Sequence, residues 1–193
     1  MSVSSAPYDI ARTEHQRDET CAASGRPLEP GQIHIAALIE HTGESALQRV
    51  LYSLEAWERG VELPEGAELF GFWKRRAPEK DEDRGRGVLS DDELMDLFEQ
   101  LEGTDRESQI VFRYLLALML MRKKRLEIQR MRPAEGDAPP VLIMRRRGAG
   151  EDADPFEVVD PGMDDDDVAK GIEEIGRVLH QDTNRDLDQD TDA

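Results

Sequence analysis

Cysteine occurs once in the 193 residues, at Cys21, so no disulfide forms within the chain and neither an oxidising compartment nor a stapled fold is indicated. Aromatic residues make up 5% of the sequence and apolar residues 38%. That is lean for a globular protein and suits one ordinary core rather than several. Long hydrophobic runs are missing too. A membrane span needs about 20 mostly apolar residues, whereas the apolar stretch that opens "YLLALMLMRKKR" ends at Met121, with Arg113 before it and four cations after it. The start, "MSVSSAPYDIARTEHQRDET", has neither a basic segment nor an apolar one, so no secretory signal is read there and the expected location is cytoplasmic.

Catalytic signatures are equally scarce. The chain contains no G-x-x-x-x-G-K-[ST] phosphate cradle, no G-x-G-x-x-G after a strand, no nucleophile elbow and no H-E-x-x-H. Cys21 with a histidine would make a thiol dyad, but a lone cysteine at a turn without a fixed base is usually structural. Paired carboxylates say little in a chain with 43 Asp and Glu. The expectation is a protein that is not an enzyme and carries no cofactor.

What the chain does have is negative charge, a formal net of -18, which on average repels nucleic acid and anionic lipid. The charge is unevenly placed. Arg113 to Arg147 holds ten cations against three acids, and Gly148 to Ala193 holds sixteen acids against three bases. Such asymmetry marks either an internal electrostatic clasp or a local nucleic-acid patch. The clasp is favoured, because the acidic segment competes for the same cations at high effective concentration. Any polyanion would be met by Arg122, Lys123, Lys124, Arg125, Arg145, Arg146 and Arg147.

Along the chain, residues 1–18 are polar, aperiodic and expected to be disordered. Residues 33–40 and "ALQRVLYS" read as a hairpin, and Ser53 caps a short helix at "LEAWERG". "PEGAELFGFWKRRAP" concentrates Phe70, Phe72 and Trp73 and is expected as an extended arm pinned by its rings. The functional alternative is a base-stacking or peptide platform beside Lys74, Arg75 and Arg76. "EKDEDRGRG" reads as a solvated loop.

Ser90 with Glu93, and Thr104 with Glu107, fit capping boxes. The second opens a predicted helix over 105–131, apolar on every side from Tyr114 to Met121 and therefore the spine of the core. "PVLIMRRRG" and "PFEVVDP" read as a second hairpin, joined by "GAGEDAD". "DDDDVAKGIEEIGRVLH" reads as a closing helix, weakened by Gly171 and Gly176. "QDTNRDLDQDTDA" is expected to be disordered. It has acids or an amide at calcium-loop spacing but lacks the glycine at position 6 and the terminal bidentate glutamate.

These elements predict an α+β class. A degenerate-finger hairpin module (19–78), a helical core (88–132) and a hairpin plus helix (140–180) form one domain over 19–180, followed by an acidic tail over 181–193.

The pattern at Cys21 is more specific. "C-A-A-S-G-R-x-L-x-x-G" resembles the first knuckle of treble-clef zinc fingers, in which the second ligand pair comes from the start of a helix after the hairpin. "S-L-E-A-W" puts Ser53 and Ala56 there, so Ser24, Ser53 and Ala56 stand at three of the four ligand positions. A serine hydroxyl is a poor zinc donor. No bound metal is expected, the weak candidates being Cys21, His34 and His41, with His15. The resemblance implies a finger-shaped scaffold standing on hydrophobic packing.

The run "C-x-x-S-G-R-x-L-x-x-G", "Y-S-x-E-A-W", "F-G-F-W-K" and "Y-L-L-A-L-M-L-M-R-K-K-R-L", over residues 21–180, also resembles a planctomycete-type bacterial family of unknown function. That resemblance implies no activity and assigns no catalytic residue. The expected function is a non-catalytic interaction or structural role with another protein as partner and no membrane. A nucleic-acid- or ribosome-associated factor is the alternative, and an enzyme of unrecognised type the third.

Overall fold

The computed structural model describes residues 20–41, 47–76, 89–150 and 153–179. The expectations for the two ends of the chain, His15, the loop at 79–87, the acidic run at 182–192 and parts of the 42–45 and 148–154 connections lie outside these residues. The described elements are β1 (Ile33–His41), β2 (Leu47–Ser53), α1 (Leu54–Glu58), β3 (Ala67–Arg76), α2 (Asp91–Gln100), α3 (Glu107–Arg122), β4 (Leu126–Arg132), β5 (Val141–Arg146), β6 (Phe156–Val159) and α4 (Asp165–Leu179). They form an α+β fold with two antiparallel three-stranded sheets, ordered β2-β1-β3 and β4-β5-β6.

β1 is buried without interruption from His34 to Ile39, as a strand covered on both faces must be. Ala36 and Leu38 join the main core with Leu47, Leu51, Phe70 and Trp73. Ile35, Ala37 and Ile39 face a smaller cluster roofed by α1 and the chain after it, through Trp57, Val61 and Leu63. β3 is thus the extended arm pinned by its rings, and it is also a full sheet strand with a bulge at Phe70. Gly71 lies so close to α2 that a Cβ there would stand 2.8 Å from Leu97 Cδ1.

The apolar helix behaves as its all-round hydrophobicity requires. Leu116 and Leu120 are wholly buried and Leu118 half-buried, with α2, α4, β4 and β6 packed around α3. Gly171 of α4 sits against this helix, where a Cβ would be 2.6 Å from Leu115 Cδ1. The glycine that counts against a helix by propensity lets two helices approach.

Two expectations are corrected. α3 begins at Glu107 with Arg106 as N-cap and no side-chain cap. Instead of closing a capping box, the Thr104 hydroxyl donates to Gln109 Oε1 and accepts from the Arg106 amide. The helix also ends at Arg122 rather than Met131. Lys124 turns left-handed (φ 59), Arg125 N–H donates to Leu120 O at 2.8 Å and Lys124 N–H to Met121 O at 2.9 Å. This is a Schellman stop with lysine where glycine is usual. The following residues form β4, whose register shift between Ile128 and Arg130 spaces Leu126, Ile128 and Met131 by two and then three. That bulged spacing imitates a helical one. The C-terminal hairpin therefore gains a third strand.

A buried cation joins the layers. Arg113, 5% exposed, donates from Nε to Phe98 O at 3.1 Å and from Nη1 to Glu157 O, and stacks 4.5 Å from the Phe98 ring centroid. Its Nη2 lies 3.7 Å from the Glu102 carboxylate. Burial pulls this guanidinium below its ordinary pKa, with Glu102 opposing, and it stays charged at neutral pH. Replacing Arg113 by Met strands two carbonyls that water reaches poorly. The expected loss is roughly 2–4 kcal/mol at an unchanged denaturant slope, read by urea unfolding. Arg113→Lys should recover little of it, since an ammonium cannot fork between both carbonyls.

Candidate functional site

The Cys21 corner is assembled from three segments. Ser24 and Gly25 N–H donate to Cys21 O at 3.2 and 2.7 Å, and Gly25 takes φ +65, a tight turn that suits glycine. Cys21 N–H donates to Arg26 O and Ala22 N–H to Leu51 O, which holds the turn on β2. Ser53 caps α1, accepting from Ala56 N–H at 3.2 Å, and its Oγ lies 3.6 Å from Cys21 Sγ. Burial pushes the thiol up. Hydrogen bonds from the side chains and backbones of Ser24 and Ser53 together outweigh it and bring the pKa from 9.0 to about 7.

Ser24 and Ser53, two of the finger positions, meet the Cys21 thiol, and Ala56 is tied to Ser53 through its N–H. Of the other metal candidates, His34 borders this corner and His41 does not. His34 is buried on the same face as Ser53, its cross-strand partner. His41 stands seven residues along β1, roughly 23 Å away at strand rise, on the opposite face beside Gln48. Among the described residues no three His, Cys, Asp or Glu side chains are grouped to hold a metal ion.

The aromatic segment is not a platform. Phe70 and Trp73 are each 1% exposed in the main core, and Phe72 packs on Trp57 at 4.8 Å between centroids. A shallow cleft of about 230 Å³ lies beside β3, but its polar groups are committed. Phe72 N–H donates to Gln100 Oε1 at 2.7 Å, and Gln109 Nε2 donates to Phe70 O at 2.7 Å.

The basic residues gather at one end of the second sheet, around the turn after α3 and the end of β5. Lys123 pairs with Asp91 at 2.9 Å, Arg125 with Asp92 at 2.7 Å, and Arg146 with Glu99. A clasp therefore exists, but among the described residues α2 supplies the acids for this end. From the C-terminal acidic segment Glu157 joins in, pairing with Arg132 at 2.8 Å. Arg122, Lys124 and Arg147 make no ion pair among the described residues, and Arg145 does have an interaction partner.

β4 escaped the sequence reading, and it is the least covered element. Every residue after Leu126 is exposed, including Ile128 at 44% and Met131 at 59%. Their cross-strand partners are the core residues Met144 and Leu142. Ile128 and Met131 thus lie on the inner face of the sheet, at a margin that stays exposed among the described residues. The available signal was the Leu126-Glu127-Ile128 alternation.

Comparison of the chain with protein-family models, with curated proteins and with solved structures finds no match. Among the described residues no helix is long and apolar enough to cross a membrane.

Two outcomes are expected of the Cys21 corner. Thiolate absorbance at 240 nm should titrate near pH 7 in the folded protein and return towards the unperturbed value in Ser24→Ala/Ser53→Ala; an unchanged midpoint removes the role of the serines. A tetrahedral zinc–thiolate site has sulfur–sulfur edges of about 3.8 Å, from Zn–S bonds of ~2.3 Å, close to the Cys21–Ser53 separation. The Ser24→Cys/Ser53→Cys/Ala56→Cys variant should accordingly bind one cobalt(II) with tetrahedral d–d absorption, and octahedral or absent spectra would refute the convergence.

Proposed function

We propose that the protein is a non-catalytic interaction module that docks another protein along β4, and that its N-terminal part is a finger-type scaffold now held by packing instead of metal. The observation that carries the docking reading is the contrast between sheet edges. Side chains occupy β3, where Gln100, Gln109 and Arg106 bond its backbone. Arg113 occupies β6, and Ala22 bonds β2. Among the described residues no side chain or loop bonds the outer backbone of β4, which offers unpaired amides and carbonyls beside two exposed apolar side chains. An open edge of this kind pairs readily with another chain.

What supports a non-catalytic role is the cleft beside β3, whose glutamines serve the backbone. The nucleic-acid alternative is disfavoured, because Lys123, Arg125 and Arg146 are already engaged by α2.

A photo-cross-linking residue placed at Met131 in the native host should yield one discrete adduct. The same residue at Glu62, on the opposite side of the first sheet, should not. Identical ladders from both positions would sink the docking reading.

A further inference from the structure

The inference rests on the docking reading and specifies the partner's chemistry. We propose that β4 receives an extended acidic segment of another protein as a fourth strand of its sheet, with apolar side chains alternating with Asp or Glu.

The register determines the alternation. An added strand continues both faces of the sheet, because successive side chains point to opposite sides. On the inner face its side chains meet Ile128 and Met131, which stand beside Met144 and Leu142 and are 44% and 59% exposed; only apolar groups would complete that surface. On the outer face they meet Arg130 and Arg132, the cross-strand partners of Ile143 and Val141. Arg132 pairs with Glu157, and Arg130, which makes no ion pair among the described residues, stands near enough to that carboxylate to help lower its pKa.

Charge then selects the occupant. Of the six cations from Arg122 to Arg132, Lys123, Arg125 and Arg132 are paired within the chain, which leaves Arg122, Lys124 and Arg130 against Glu127, so this margin remains a positive pole of an acidic protein. Two copies joined through β4 would bring like poles together, at a cost that disfavours the self-pair. A strand bearing carboxylates is drawn in and is oriented by the same charges. The chain's own acidic end, 181–193, has Leu187 as its one large apolar residue and cannot supply the alternation.

The test uses the full-length protein and a fluorescein-labelled, amidated (Glu-Val)4 peptide, read by anisotropy. Saturable binding is expected, weakening at least tenfold between low and moderate salt and at least tenfold in Arg130→Glu. Ile128→Ser/Met131→Ser should weaken it to the same degree; both residues are substantially exposed, so the melting temperature should hold. A (Glu-Val)4 peptide N-methylated at alternate residues should not bind. Equal binding of (Lys-Val)4, or indifference to these substitutions, overturns the proposal. So does a concentration-dependent dimer abolished by the same substitutions, which gives the edge to a second copy, and so does peptide binding that emerges only after deletion of 181–193. A discrete cross-link at Met131 without acidic-peptide binding refutes the acidic strand and leaves docking standing; loss of both removes both.

Discussion

Arg113 is the joint on which the arrangement of layers depends. A guanidinium taken out of water is costly unless it is hydrogen-bonded and has an opposite charge near it, as Arg113 has in Glu102 at 3.7 Å. Here one donor satisfies a carbonyl in the last turn of α2, another the backbone of β6, and the planar group rests on the Phe98 ring. Two consecutive helices and a strand 44 residues beyond Arg113 are thereby fixed at one point. Phe98 is held in turn by Phe156, 5.2 Å away edge to face. The first sheet is secured to the same helices by side chains along β3. The two sheets thus share one helical filling and one contiguous core from Cys21 to Leu179.

Polar side chains that leave helices to bond strand edges recur throughout. Gln100, Gln109, Arg106 and Arg113 each close an otherwise open backbone group. Hydrophobic burial positions the helices without direction; these bonds supply direction. The same logic separates the cations. Those near α2 are neutralised by its outward acids, while along β4 Arg132 pairs with Glu157 and Arg130 makes no ion pair among the described residues.

Local chemistry was legible and long-range partnership was not. Ser53 and the Ser90–Glu93 box mark helix starts because a cap is a contact within three residues, and β1, β5, β6 and α4 follow from composition and period. β3 looked like an arm because Gly71 and three consecutive cations dilute its pattern. β4 was hidden twice, by a helix stop that uses lysine in place of glycine and by a bulge that breaks the period of two. The acids of the clasp lie more than twenty residues before the cations they meet, a pairing that composition cannot reveal. At the Cys21 corner the tight turn from Cys21 to Gly25 was readable because it is local, whereas the approach of Ser53 and the remoteness of His41 needed the course of β1 and β2.

The register shift at Gln129 carries one more consequence. A straight seven-residue margin could stack copy upon copy into a fibril, since cross-β growth needs flat, in-register edges. The kink divides that margin into two short lengths and twists one against the other. A visiting strand can be accommodated once, while indefinite templating is interrupted at its first layer.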